Sequence, residues 1–408
     1  MKTTALSHCA AAPACRTTAP RSLPARLKQL TLTAAAALAL VLAPVASAAT
    51  STFTVLQNLD YSTTGGSPSA GLVQGTDGAL YGTTQQGGSG AVGTVFKLNP
   101  DGSGFTVLQS LDLYTTGGYP AVGLVQGTDG ALYGTTSQGG TGGYYGAGTV
   151  FKLNPDGSGF TLLRDLDYYS GDGYPVSKLV QGTDGALYGT TSQGGSNYRG
   201  TVFKLNPDGS GFTVLLSFDW ITTGGYPTAG LVQGTDGALY GTTQSGGSLY
   251  YGTVFKLNPD GSGFTVLKNF DYYLAGGYLH AGLVQGTDGA LYGTTSQGGS
   301  GDRGTVFKLN PDGSGFTVLQ NLDYDTTGAN PSAGLVQGTD GALYGTTTQG
   351  GSFGGGTVFR LSAGPPAAPD LEVLTLTTTN NKAPQGQKVT VTAVVKNTGT
   401  AAAGASTT

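Results

Sequence analysis

Three observations predict an all-β chain built as a six-bladed β-propeller of four-stranded antiparallel blades. Glycine makes up 73 of the 408 residues, and a unit of about 52 residues recurs six times. Each unit holds four short runs rich in Val, Leu, Thr, Tyr and Phe, the residues that strands prefer. Charged residues reach only 10 % of the chain, against about 25 % in an ordinary soluble domain, so the charged faces of surface helices are missing. Glu372 is the single glutamate. The glycines keep no three-residue period, which excludes collagen. A hydrophobic fraction of 38 % in strong register excludes a disordered chain.

Residues 1–49 read as a secretory signal peptide. Lys2, Arg16, Arg21, Arg26 and Lys28 lead into an apolar run from Leu30 to Val45, and Ala46-Ser47-Ala48 supplies small residues for cleavage. The run is shorter than the roughly 20 residues of a membrane span. Five of the 19 basic residues lie here and none of the 23 acids, so the rest carries 14 bases against 23 acids, a formal charge of −9. An acidic exported chain offers no electrostatic footprint to nucleic acid or to an anionic membrane. Cys9 and Cys15, the only cysteines, fall in the same segment. Disulfides, Cys-ligated metals and Cys nucleophiles are therefore not expected in the exported chain.

Residues 50–362 carry the repeats. The string FTVL, once FTLL, starts at Phe53, Phe105, Phe160, Phe212, Phe264 and Phe316. The spacing is 52 residues except for one of 55, whose extra residues fall between Thr136 and Gly148. In the first full unit the four runs are A, Gly71 to Gln74; B, Ala79 to Thr83; C, Thr94 to Leu98; and D, Phe105 to Leu108. Gly75-Thr76-Asp77-Gly78 joins A to B, and Asn99-Pro100-Asp101-Gly102-Ser103-Gly104 joins C to D. Both are tight turns: proline fixes φ, aspartate bonds locally and glycine accepts positive φ. Four antiparallel strands in such a unit make one propeller blade. Tyr81, Tyr133, Tyr188, Tyr240, Tyr292 and Tyr344 on B, with Phe96, Phe151, Phe203, Phe255, Phe307 and Phe359 on C, are the expected core.

The order of strands predicts how the ring closes. A D-type strand, Phe53 to Asp60, precedes the first A strand, and the sixth unit reaches its C strand, Thr357 to Leu361, with no D after it. The N-terminal strand is expected to complete the sixth blade. An open solenoid would call for capping repeats, which the sequence does not supply.

Chemistry-bearing residues are few. His280 is the one histidine beyond the signal segment, so a catalytic triad or transition-metal site lacks material. The aspartates of the A–B turns, such as Asp77, and of the C–D turns, such as Asp101, are explained by turn chemistry. Calcium, which takes six to eight oxygens, would find one carboxylate per turn. A third set, Asp60, Asp112, Asp167, Asp219, Asp271 and Asp323, ends strand D and is expected to cap the turn between blades. No cofactor or metal is expected.

One asymmetry points to a working surface. In an A-B-C-D blade the A–B and C–D turns share one face and the B–C and D–A loops share the other. The first pair is nearly identical in all repeats; the second varies. The variable loops hold Tyr144, Tyr145, Tyr198, Arg199, Trp220, Tyr250, Tyr251, Tyr272, Tyr273 and Phe353. Aromatic rings among Gly and Ser suit recognition of carbohydrate or protein. Packing over the rim is the plainer explanation for the same residues.

The strings GTVFKLNPDGSGFTVL and GLVQGTDGALYGTT resemble the GloVer-type tandem repeats of bacterial exported choice-of-anchor proteins, six times over residues 53–361. The resemblance implies an extracellular repeat protein with variable C-terminal attachment modules, and no set activity. Kelch repeats match less well, since their paired Tyr and Trp spacing is absent. Residues 363–369 form a Pro-rich linker, an extended spacer. Residues 370–408, with Asp370-Leu371-Glu372-Val373 and the run Val389 to Thr400, resemble the opening strands of a CARDB domain, an Ig-like sandwich named for cell adhesion. A full sandwich takes about 100 residues, so a partial Ig-like segment is expected here.

The leading expectation is an exported, non-catalytic monomer that presents its variable face to a carbohydrate or a cell-surface protein. A structural surface repeat without a specific ligand is one alternative. A propeller glycan hydrolase or lyase is another, and Asp172 and Asp302 are the acids it would use.

Overall fold

The structure, a computed structural model, describes residues 54–141, 146–167 and 172–362, and the backbone of 371–378 and 391–397. The signal-peptide segment, the Pro-rich linker, Tyr144 and Tyr145 lie outside the described residues. Among those described there is no helix long and apolar enough to cross a membrane.

Six antiparallel sheets follow one another along the chain. The first runs β1 (Val73–Gln74), β2 (Leu80–Thr84), β3 (Thr94–Leu98), β4 (Thr106–Ser110), in that spatial order. The second repeats it with β5 (Val125–Gln126), β6 (Leu132–Thr136), β7 (Thr149–Leu153) and β8 (Thr161–Asp165). In the third, β9 (Gly173–Pro175) is an extra strand. It pairs with β11 (Leu187–Gln193), which lies between β10 (Val180–Gln181) and β12 (Thr201–Leu205), and β13 (Thr213–Ser217) follows. The fourth is β14 (Val232–Gln233), β15 (Leu239–Thr243), β16 (Thr253–Leu257) and β17 (Thr265–Asn269). The fifth is β18 (Val284–Gln285), β19 (Leu291–Thr295), β20 (Thr305–Leu309) and β21 (Thr317–Asn321). The sixth has three strands, β22 (Val336–Gln337), β23 (Leu343–Thr346) and β24 (Val358–Leu361). A separate antiparallel pair, β25 (Leu371–Thr378) and β26 (Val391–Asn397), lies in the C-terminal segment.

Turn chemistry sets these elements. In the first A–B turn Gly75 N–H donates to Ala79 O at 2.8 Å, and Asp77 Oδ1 accepts the Ala79 amide at 3.1 Å. In the C–D turn Asn99 N–H reaches Ser103 O at 2.9 Å, and Asp101 Oδ1 accepts the Ser103 amide at 2.9 Å. The B–C register sets Tyr81 opposite Lys97 and Gly82 opposite Phe96. Glycine is forced at that point: a Cβ on Gly82 would come within 2.5 Å of the Phe96 ring and 2.6 Å of Leu72. A bulge after Val95 then shifts the C–D pairing, and it recurs at Val150, Val202, Val254 and Val306.

The core lies between blades. Ala79, Tyr81 and Val95 of the first blade meet Leu124, Leu132, Phe151 and Leu153 of the second. The same pattern recurs at each following junction up to that of the fifth blade with the sixth. Each fully buried Leu or Phe contributes roughly 1.5–3 kcal/mol, so a blade is stable only between neighbours. A glutamine ladder ties the inner strands. Gln126 Oε1 accepts the Thr76 amide of the preceding blade at 2.8 Å, and Gln126 Nε2 donates to Gly130 O of its own turn at 2.9 Å. Equivalent rungs run to Gln337, which accepts from Thr287.

The expected six A-B-C sets are present, together with five D strands. Residues 54–60 form no strand, so the sixth sheet keeps three strands and the closing strand is not seen in its expected place beside β24. The exposure pattern marks the same edges. Leu72 is 50 % exposed where its equivalents from Leu124 to Leu335 are at most 9 % exposed, and Val358 is 82 % exposed where Val95 to Val306 are at most 1 %. The N-terminal segment nevertheless sits against the first blade as a D strand would. An added Cβ on Gly102 would lie 2.8 Å from Leu56 O, matching Gly209 against Leu163 O at 2.8 Å and Gly313 against Leu267 O at 3.0 Å.

Candidate functional site

The variable face is built by two loops that meet across each blade junction. After its strand, the D–A loop turns on an aspartate. Asp60 Oδ1 accepts the amides of Ser62 and Thr63 at 2.9 and 3.0 Å, and Asp112, Asp219, Asp271 and Asp323 do the same two and three residues on. The predicted capping role is thus seen at these five positions. Further along, the loop carries a residue at positive φ, which is Tyr119, Tyr174, Tyr226 or Tyr278 in the middle blades. Its amide donates to the B–C loop of the preceding blade: Tyr226 N–H to Arg199 O at 2.7 Å, Tyr278 N–H to Tyr251 O at 2.9 Å. The B–C loop has its own positive-φ residue, Tyr198 (φ 55°) or Tyr250 (φ 70°), in a turn closed on Gly195 O or Gly247 O.

The structure sorts the candidate residues into two groups. Arg199, Trp220, Tyr251 and Tyr272 are half-buried and hold blades together. The Arg199 guanidinium lies 4.9 Å from the Trp220 ring and 5.0 Å from that of Tyr226, and the two rings meet edge-on at 6.0 Å. At the next junction Tyr251 packs on Tyr272 at 5.1 Å and on Tyr278 at 5.7 Å. A hydrogen bond to Asp302 pushes the Tyr272 phenol up to about 12. Tyr198, Tyr250, Tyr273 and Phe353 are instead each more than half exposed.

Sequence reasoning missed several exposed apolar residues at the same loop tips: Tyr61, Tyr114, Ile221 and Leu274. The available signal was their place just after the turn aspartate, where a solvated loop has no call for an apolar side chain. The face of the repeated turns is different in kind. There Asp77 Oδ2 accepts from the Tyr81 hydroxyl at 2.8 Å and from Lys97 Nζ at 2.9 Å, with the lysine 5.4 Å from the ring centre. The same Asp–Tyr–Lys group recurs through Lys308, and Arg360 takes the lysine's part in the sixth blade.

The two acids considered for catalysis stand in different blades, each with its own partner. Asp172 is buried and pairs with Arg164 at 3.0 Å, while Asp302 holds Tyr272. His280 is half-buried beside Gln244, and burial keeps its imidazole below the usual range. Among the described residues no three His, Cys, Asp or Glu side chains converge as a metal site would require.

Comparison with solved structures finds distant likenesses. One is the nidogen/laminin complex, at 17 % identity and TM-score 0.41, covering 61 % of this chain and 78 % of that one. Another is a gluconolactonase from Xanthomonas campestris, at 16 % identity and TM-score 0.41, covering 74 % and 87 %. No curated protein matches the chain. The Gloeobacter/Verrucomicrobia repeat model matches residues 45–249, 140–285 and 230–400, spanning all six blades. The chain belongs to the Gloeobacter/Verrucomicrobia repeat family.

Proposed function

We propose that this is an exported, non-catalytic binding protein whose variable loop face engages carbohydrate. The observation that carries the reading is the set of side chains more than half exposed in the variable loops, Tyr198, Tyr250, Tyr273 and Phe353. Aromatic faces stack on the C–H surface of sugar rings, and neighbouring Gly and Ser leave room for hydroxyl contacts. The opposite face carries the repeated Asp–Tyr–Lys groups, whose polar atoms are satisfied by one another. Residues 1–49 would direct export, and the C-terminal strands would begin an adhesion-type Ig-like module.

The frame for such a face is a closed ring, and we propose that residues 53–60 close it by pairing with β24. Two facts support this. Leu56 already lies against Gly102 as each D strand lies against the next blade, and β24 has an open edge beside a cavity of about 290 Å³ lined by Val306, Leu322 and Phe359.

The binding reading is tested with the purified full chain on a glycan array and in polysaccharide pull-downs, beside Tyr250→Ala, Tyr273→Ala and Phe353→Ala. Binding by the wild type that falls in these variants supports it. Binding of no glycan, or binding untouched by all three substitutions, overturns it. Trp220→Ala serves as a contrast, since that ring clamps two blades and its loss should act on stability first.

A further inference from the structure

The A strands of blades two to six surround a cavity of about 530 Å³, within the range of about 300–1,000 Å³ that small ligands use. Each A strand pairs with its B strand on one side only, so its other backbone edge borders the cavity and offers N–H and C=O groups to an occupant. Gln126, Gln181, Gly230, Gly282 and Gly334 line the wall, and Lys178 is the one charged residue among the lining side chains.

Lys178 breaks the repeat pattern. The equivalent residues are Gly71, Gly123, Gly230, Gly282 and Gly334. Space varies among the glycines: a Cβ on Gly123 would lie 2.9 Å from Gly71 O and one on Gly230 3.0 Å from Lys178 O, whereas one on Gly334 would stay 3.8 Å from Gly282 O and one on Gly71 would meet nothing within 4 Å. At this position one blade alone carries a long cationic side chain, and that side chain is exposed to the cavity. Among the described residues of the six sheets the other cations have partners. Lys97, Lys152, Lys204, Lys256, Lys308 and Arg360 pair with turn aspartates, and Arg164 with Asp172. Arg199, Lys268 and Arg303 lie over aromatic rings. Lys178 has no such partner among the described residues. A local departure from an otherwise uniform pattern, without a structural gain, is where function is expected.

We infer that the central cavity is an anion-recognition site in which the Lys178 ammonium receives the carboxylate of a uronic-acid residue. One ammonium matches one carboxylate, and a charge-assisted hydrogen bond fixes the orientation. The free backbone edges suit the hydroxyls of a pyranose ring better than an apolar body. Lys178 lies two residues before β10, so the site opens on the side of the D–A loops. The inference stands on the cavity alone and is independent of the exposed rings of the loops.

The test is calorimetric titration of the full chain with sodium galacturonate, galactose and N-acetylglycine, the wild type beside Lys178→Gly and Lys178→Gln. The wild type should bind galacturonate at least about tenfold more tightly than galactose, and 0.5 M salt should narrow the gap. Both variants should level the two sugars while keeping the wild-type melting temperature. Glycine is what the other blades carry at this position; should that variant fail to fold, the glutamine variant, which keeps the stem and removes only the charge, decides. Absence of galacturonate binding, equal binding of galactose, or a preference that survives both substitutions would overturn the proposal. N-acetylglycine binding as tightly as galacturonate would overturn the assignment to a sugar acid. Loss of loop-face binding in Tyr250→Ala with galacturonate binding intact keeps the two readings apart.

Discussion

At the scale of single residues, Asp77, Tyr81 and Lys97 form a unit that recurs in the first five blades, with an arginine in the lysine's place in the sixth. The lysine and the tyrosine hydroxyl both hydrogen-bond to the carboxylate and hold Asp77 down to about 2, against 3.8 for a free aspartate. Asp340, held by Arg360 and Tyr344, is likewise lowered to about 2. A carboxylate depressed in the folded state favours folding above its unfolded value, and that contribution is lost as pH falls towards the folded value. The melting temperature should therefore decline gently below pH 6.5, where the half-buried His280 resists protonation, and drop most steeply between pH 4 and 2, a window set by 3.8 and about 2. Asp77→Asn should flatten the drop only slightly, because equivalent groups remain in the other blades; these groups are partly exposed and solvent screens each of them. Thermal melts from pH 7 to 2 check both statements, and a fall no steeper below pH 4 than above it would contradict them. The turn role of these aspartates was legible, because Asp followed by Gly between two apolar runs is turn chemistry. The second oxygen's partners were not, since only the B–C register sets Tyr81 opposite Lys97.

At the scale of the loop, the B–C turns of the third and fourth blades place a tyrosine where glycine or asparagine would be cheaper. Tyr250 has φ 70° and Tyr198 φ 55°, and a bulky residue in the left-handed region costs about 1 kcal/mol or more. Tyr250 gains little packing in return, since its ring is mostly exposed. Tyr250→Gly should therefore leave stability unchanged or raise it by up to about 1 kcal/mol. The same substitution should weaken ligand binding by the loop face. Urea unfolding midpoints check the first part and pull-downs the second; a clear loss of stability would show that the ring serves packing. The sequence grouped these aromatic residues in the B–C and D–A loops but could not divide exposed rings from clamping ones. That division depends on contacts between a B–C loop and the next D–A loop, as when Arg199 covers Trp220 and Tyr226. Such contacts join residues 21 to 27 positions apart whose loops meet only once the blades have stacked.

At the scale of the whole molecule, periodicity made the blades legible, because each turn announces itself and each strand repeats its core residue. Boundaries slipped by a residue or two: the D strand read as Phe105 to Leu108 is Thr106–Ser110, displaced where the bulge after Val95 shifts the pairing. Closure depends on the one junction without an internal copy, that of the sixth blade with the first. Internal junctions bury a C-strand valine almost completely, whereas Val358 stands 82 % exposed at the edge of β24. A closed ring would place Val358 in a sixth inter-blade core, against Leu72 and the N-terminal strand. The ends belong to one chain, so their effective concentration favours closure within the molecule over pairing with a second copy. Val358→Asp separates the two states. In a closed ring it buries an unpaired carboxylate and should cost about 3 kcal/mol or more. At an open edge the same charge meets water, and the change should stay within about 0.5 kcal/mol. Val306→Asp, in a junction already buried, gives the reference loss, and deletion of residues 53–60 should lower the melting temperature alongside Val358→Asp. Val358→Asp melting like the wild type would leave the sixth blade with three strands and the ring open.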